Sequence, residues 1–198
     1  MNVVVSAAVA HSAHDSGVRQ IAALAARLAY LFMCLTLSWG VFTATGWINR
    51  ITGRTAVRST HLVFATFTIA FGVLHAVSFL FLTDSNELFS PVMLLVPLVS
   101  GGLLRWALGI IGIELMIAIA ITAGLQHRVN YRRWLRFHQV GYIAVGLTVV
   151  HSWLGAIANG HLELLWLAGL TLLAPVILLC VLRFTPSRML AAAGLISG

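Results

Sequence analysis

The chain has 198 residues, of which 60% are hydrophobic and only 9% charged, and its mean hydropathy is +0.99. A soluble domain of this length carries far more charge, so the composition excludes the soluble classes and points to an integral membrane protein. The formal charge of +7 comes from twelve arginines, no lysine and five acids; in so apolar a chain it reflects cations held on the inner face of a membrane and not a nucleic-acid partner.

The first segment, MNVVVSAAVAHSAHDSG, lacks the basic n-region of a signal peptide, so residues 1–20 are expected to be retained as an extracytoplasmic tail. His11, His14 and Asp15 form an H-x-x-H-D cluster there, a weak candidate for transient metal binding. Five apolar stretches follow, at about 21–48, 59–82, 103–124, 137–158 and 162–183. Each is roughly 20 residues long, enough to cross the hydrocarbon core as a helix, which predicts an all-α integral membrane helical bundle of about five transmembrane helices. Between the second and third lies TDSNELFSPVMLLVPLVSGG. Its apolar part is too short to span, so residues 91–100 are expected to form a short interfacial or re-entrant segment.

The charges sort by side. Arg50, Arg54 and Arg58, then Arg128, Arg132, Arg133 and Arg136, then Arg183 and Arg188 fall together, nine of the twelve arginines. The positive-inside rule makes that side cytoplasmic, with the N-terminus outside and residues 184–198 as a cytoplasmic tail. The expected location is a bacterial inner or plasma membrane. Asp15, Asp84, Glu87 and Glu163 lie on the opposite side, and Glu114 lies near the middle of the third span. A mid-bilayer carboxylate costs about 2.5–3.5 kcal/mol on insertion scales, so Glu114 is expected to face the bundle interior, protonated or paired. Cys34 and Cys180 sit in apolar runs and read as small buried hydrophobes without a disulfide. Most tryptophans lie towards span ends, as an aromatic belt requires; Trp153 and Tyr142 are also positioned to pack on a planar cofactor.

Four of the eight histidines lie inside spans: His61 and His75 on the second, His138 and His151 on the fourth. Both spans run from inside to outside, so His61 and His138 share an inner depth and His75 and His151 an outer one. At about 1.5 Å per residue the two levels are roughly 20 Å apart. The 14-residue separation of His61 and His75 keeps them within about 40° of one helical face. The 13-residue separation of His138 and His151 leaves about 140° of offset. A bulge, a kink or rotated ligand planes must absorb it, with Gly141 and Gly146 as places for an irregularity. A single transmembrane histidine is as readily a hydrogen-bonded core or proton-relay residue. Four in depth-matched pairs fit axial ligation of two six-coordinate irons. No C-x-x-C-H occurs, so the haems would be non-covalent, b-type.

These spacings, with YRRWLRFHQVGY before the second pair, resemble the ferric reductase-like transmembrane domain superfamily over roughly residues 20–183. That superfamily contains eukaryotic ferric reductases, NADPH oxidases and the haem-binding membrane subunit of periplasmic methionine sulfoxide reductase; TGRTAV at 52–57 is similar to the last of these. The resemblance implies an inner haem on His61 and His138 and an outer haem on His75 and His151. It makes residues 21–183 the haem domain. Arg105 becomes a candidate partner of the outer haem propionates, with Arg27 similar, and Arg132 and Arg136, with Arg54 and Arg58, candidates at the inner haem. Solvated loop charges and snorkelling are the competing readings.

The sequence shows no G-x-G-x-x-G and no flavin or nicotinamide domain after the last span. The expected activity is therefore that of an oxidoreductase membrane component. It would carry electrons through two b-type haems from a cytoplasmic or membrane donor, a flavoprotein or quinol, to an extracytoplasmic acceptor. Two alternatives stand beside it: a quinol-oxidising haem anchor for a periplasmic oxidoreductase, and a haem-free transporter or assembly subunit.

Overall fold

The structure, a computed structural model, describes residues 2–83, 89–97, 104–164 and 169–192. Among them it contains helices and turns and no strand. In chain order the helices are α1 (Asn2–Thr45), α2 (Asn49–Thr52), α3 (Arg54–Ser78), α4 (Pro91–Leu95), α5 (Leu104–Gly124), α6 (Tyr131–His138), α7 (Gly141–Ala158), α8 (Leu162–Leu164), α9 (Thr171–Phe184) and α10 (Ser187–Ala192). Short 3-10 turns extend α3 through Phe79–Phe81 and precede α6 at Gln126–Arg128.

Four helical stretches are long and apolar enough to cross a membrane: Ala13–Thr45, Arg54–Phe81, Leu104–Gly124 and Tyr131–Ala158. The fifth expected span is described over the 14 residues of α9, about 21 Å of helix at 1.5 Å per residue. Residues 165–168 of that expected span lie outside the described residues. Helices are what the physics requires, because a backbone in hydrocarbon must satisfy its own hydrogen bonds. Between spans, Gly53 (φ 79°) and Gly160 (φ 71°) adopt left-handed backbone that turns the chain back. Ser90 caps α4 by accepting from the Met93 N–H at 3.3 Å, with Pro91 at its first position. This five-residue helix is far too short to span, as expected for the segment beginning at Pro91.

Residues read as a tail continue the first span as one helix from Asn2. Buried Asp15 anchors this extension, accepting from the Thr83 N–H at 3.0 Å and the Thr83 hydroxyl at 2.8 Å. The His14 ring also bonds to Asp15, at 3.2 Å. No group of three or more metal-ligating side chains forms among the described residues, and the His11 side chain lies outside them.

Packing is pairwise. α1 lies along α3 through aromatic contacts of Phe32 with Phe64, Phe67 and Phe71, and through a 3.1 Å hydrogen bond between the Thr36 and Thr68 hydroxyls. α5 approaches α7 closely because Gly109 and Gly112 bear no side chains where His151 and Thr148 project. α9 closes the bundle on α1 and α7: Leu173 and Val176 join Met33, Cys34 and Val149 in the buried cluster. The Tyr30 hydroxyl donates to the Gly169 carbonyl at 3.0 Å across the same contact. Both cysteines are free.

Glu114 overturns its expectation. It is exposed, not turned into the bundle. α5 spends its glycine face on α7 and packs Ile113 against Gly72 of α3, and Glu114 stands about 200° around the helix from Gly112. The interior side of α5 was already taken by groups that allow close backbone approach.

Candidate functional site

The four intramembrane histidines meet in two pairs. The ring centres of His61 and His138 are 6.1 Å apart with planes inclined by 69°. Those of His75 and His151 are 6.2 Å apart with planes inclined by 67°. α3 supplies one member of each pair; the end of α6 and the middle of α7 supply the others.

The expected irregularity between His138 and His151 is present. α6 ends at His138, Gln139 and Val140 form a turn, and α7 begins at Gly141. Across the junction three amides bond to the i−3 carbonyl: Val140 to Phe137 (3.0 Å), Tyr142 to Gln139 (3.1 Å) and Ile143 to Val140 (2.9 Å). Each such step turns about 120° rather than about 100°, so this overwinding works in the direction that closes the offset. Gly146 lies within α7, away from the break.

Backbone carbonyls aim three of the rings. His61 Nδ1 bonds to the Thr36 carbonyl at 3.0 Å, His75 Nδ1 to the Ala22 carbonyl at 2.9 Å, and His151 Nδ1 to the Arg105 carbonyl at 2.5 Å. A carbonyl can only accept, so each Nδ1 carries the proton and each Nε2 keeps its lone pair. Thr36 and Ala22 are 14 residues apart on α1, the separation of His61 and His75 on antiparallel α3. Nδ1 of His138 is buried without a protein partner among the described residues, and its ring stacks on Trp134 at 5.1 Å.

Glycines make the space for two of the rings. A Cβ at Gly109 would sit 2.7 Å from both Cε1 and Nδ1 of His151. One at Gly40 would sit 3.3 Å from Cε1 of His61.

The spacing tests what the pairs could hold. Metal–nitrogen bonds of about 2.0 Å place two imidazoles on opposite sides of one metal with ring centres about 6.2 Å apart, and at a tetrahedral angle only about 5 Å apart. The observed separations match the linear arrangement. With two imidazoles per level and no group of three or more ligating side chains among the described residues, these residues would fit a bis-imidazole haem and not a tetrahedral zinc site.

The chain matches the family described as ferric reductase like transmembrane component over residues 23–149. It belongs to that family. The match spans well over half of this ferric reductase-like chain and takes in His61, His75 and His138, ending two residues before His151. It makes the chain a membrane component of oxidoreductase type. No curated protein and no solved structure matches the chain.

The arginines are placed unevenly. Arg105 is half-buried, its carbonyl holding His151 and its guanidinium 5.6 Å from the Trp106 ring centre. Arg132 and Arg136 are exposed on α6 and share a face turned away from the face of Trp134 and His138. Arg54 and Arg58 are exposed at the start of α3. Arg27 opens, with Asp15, Arg19 and His161, onto a polar hollow of about 590 Å³. Ala23 lines the same hollow, next to the Ala22 carbonyl that holds His75. Tyr142 packs edge-on against Phe184 and Trp153 packs on the buried cluster of α1, α7 and α9.

The sequence displayed the four histidines but not the groups that aim them. Carbonyls of Ala22, Thr36 and Arg105 leave no mark in the residue letters. The small residues Gly40 and Gly109 were the one available signal, since glycine in an apolar helix often marks close approach of a neighbour.

Proposed function

We propose that this ferric reductase-like chain carries electrons across a membrane through two b-type haems, one on His61 and His138 and one on His75 and His151. The observation that carries this reading is the pair of ring-centre separations, 6.1 and 6.2 Å, at two depths of one bundle. Bound haem supplies a one-electron ferric/ferrous couple at each level.

The chain's own residues do the rest. Thr36, Ala22 and Arg105 hold three imidazoles in the Nδ1–H tautomer and fixed in rotation, which leaves Nε2 free to ligate and raises its basicity. Gly40 and Gly109 admit the rings. Fourteen residues between His61 and His75 set the two levels about 21 Å apart, so a single chain bridges most of the hydrocarbon core. Arg105 is the proposed partner for the outer propionates; no arginine is assigned to the inner ones, because Arg132 and Arg136 stand on the face of α6 opposite His138.

Electrons enter, on this reading, from a flavoprotein or quinol at the arginine-rich cytoplasmic side and leave to an acceptor outside. That orientation rests on the positive-inside rule. A haemochrome assay on the purified chain should give two haems b per chain. His75→Leu or His151→Leu should each remove about one of the two and leave the inner one. A wild-type chain without haem b bands after dithionite reduction would instead fit a haem-free transporter or assembly subunit.

A further inference from the structure

Trp134 stands near a span end, where an aromatic belt turns indole N–H groups to headgroups and water. Its Nε1 is instead buried, with no hydrogen-bond partner among the described residues. The ring is not free to turn towards one. It packs on Tyr131, with ring centres 5.7 Å apart, and stacks on His138 at 5.1 Å with planes inclined by 25°.

A second donor beside it has the same need. Nδ1 of His138, which carries the proton when Nε2 ligates, is also buried without a partner among the described residues. The other three histidines each have a carbonyl at that atom. Buried N–H groups are nearly always paired, so two neighbouring ones without an acceptor point to an acceptor that the polypeptide does not supply.

The chemistry of that acceptor can be narrowed. A water accepting from both donors would still need acceptors for its own two hydrogens. A carboxylate accepts through two oxygens and donates nothing. The chain brings none to this place: its five acids are Asp15, Asp84, Glu87, Glu114 and Glu163, in the middle of α5 or on the side opposite the arginines. Haem held by His61 and His138 would bring two, its propionates.

We propose that Trp134 is a positioning residue for the inner haem, its indole N–H donating to a propionate carboxylate. The proposal rests on the di-haem reading. It gives the inner level a neutral donor where the outer level has the half-buried cation of Arg105.

Trp134→Phe keeps an aromatic ring against His138 and removes only the donor. The test uses the full chain in a His75→Leu background, which isolates the inner haem, loaded either with haem or with haem dimethyl ester, whose propionates carry no charge. Release is followed by transfer to apomyoglobin, and the propionate bending band by resonance Raman. Trp134→Phe should speed release of haem about tenfold or more, the worth of a hydrogen bond to a charged group, and shift the propionate band. On the dimethyl ester, wild type and variant should release alike. Arg136→Gln, on the opposite face of α6, should change neither reading. In the chain that keeps both haems, Trp134→Phe should speed one phase of release and leave the other.

Haem release at the wild-type rate with an unshifted band overturns the proposal. So does an equal acceleration on haem and on its ester, which would make Trp134 a packing residue only. A chain without haem bands defeats the di-haem reading and this proposal with it, whereas a chain that keeps two haems and shows no response to Trp134→Phe overturns this proposal alone.

Discussion

His151 shows how closely its level is built. Its ring is held at one edge by the Arg105 carbonyl and at its face by the absent side chain of Gly109. A methyl group there would lie 2.7 Å from two ring atoms, and the obstacle is a ring fixed by a hydrogen bond, not the end of a flexible chain. Gly109→Ala should therefore expel His151 from its position and remove the outer haem, while His61 and His138 keep theirs. The measurement is haem per chain with the dithionite difference spectrum: about half the wild-type amount is expected, and full retention would show that the ring is not confined as described. Side chains of this kind are visible in a sequence. Their anchors are not, because any residue can lend its carbonyl and only the neighbouring helix decides which one does.

At the level of the elements, the decisive feature is the junction of α6 and α7. A separation of 13 residues cannot put two side chains on one face of a regular helix. That much was legible, and it called for a bulge, a kink or rotated ligand planes between His138 and His151; the structure has the irregular backbone. The structure places it at Gln139 and Val140, directly after His138, where i−3 bonds overwind the backbone. Inserting one alanine after Gly146 should rotate His151 by about 100° and shift it by about 1.5 Å. The outer haem should be lost and the inner one kept, read as a single remaining b-type signal by low-temperature absorption or electron paramagnetic resonance. Retention of both signals would mean that α7 slides or re-registers to restore the ligand. Hydropathy likewise revealed the spans; the helix of the first continues back to Asn2, and within it Asp15 finds a partner in Thr83, 68 residues away.

At the scale of the whole molecule, the bundle is thinly packed. Only 11–28% of the residues in each candidate spanning window are buried within the chain, so most of its surface faces lipid or other components. Glu114 belongs to that outer surface. Since it faces away from the α5–α7 contact that carries His151, Glu114→Gln should leave haem content and the reduced spectrum unchanged. A shift or loss of either haem band would put the carboxylate beside the histidine slot after all.

What the sequence by itself determined was the membrane class, the number and order of apolar segments, the two depths and the four imidazoles. These follow from composition and from helical rise, which are properties of single segments. Only the tertiary structure decided that the rings meet in pairs at 6.1 and 6.2 Å, which carbonyls aim them, and that Glu114 stands outside the bundle. Each of those depends on the rotation of one helix against another. In hydrocarbon, where lipid tails are as apolar as the helices, that rotation is set by small residues and hydrogen bonds at the contacts and not by hydrophobic patterning.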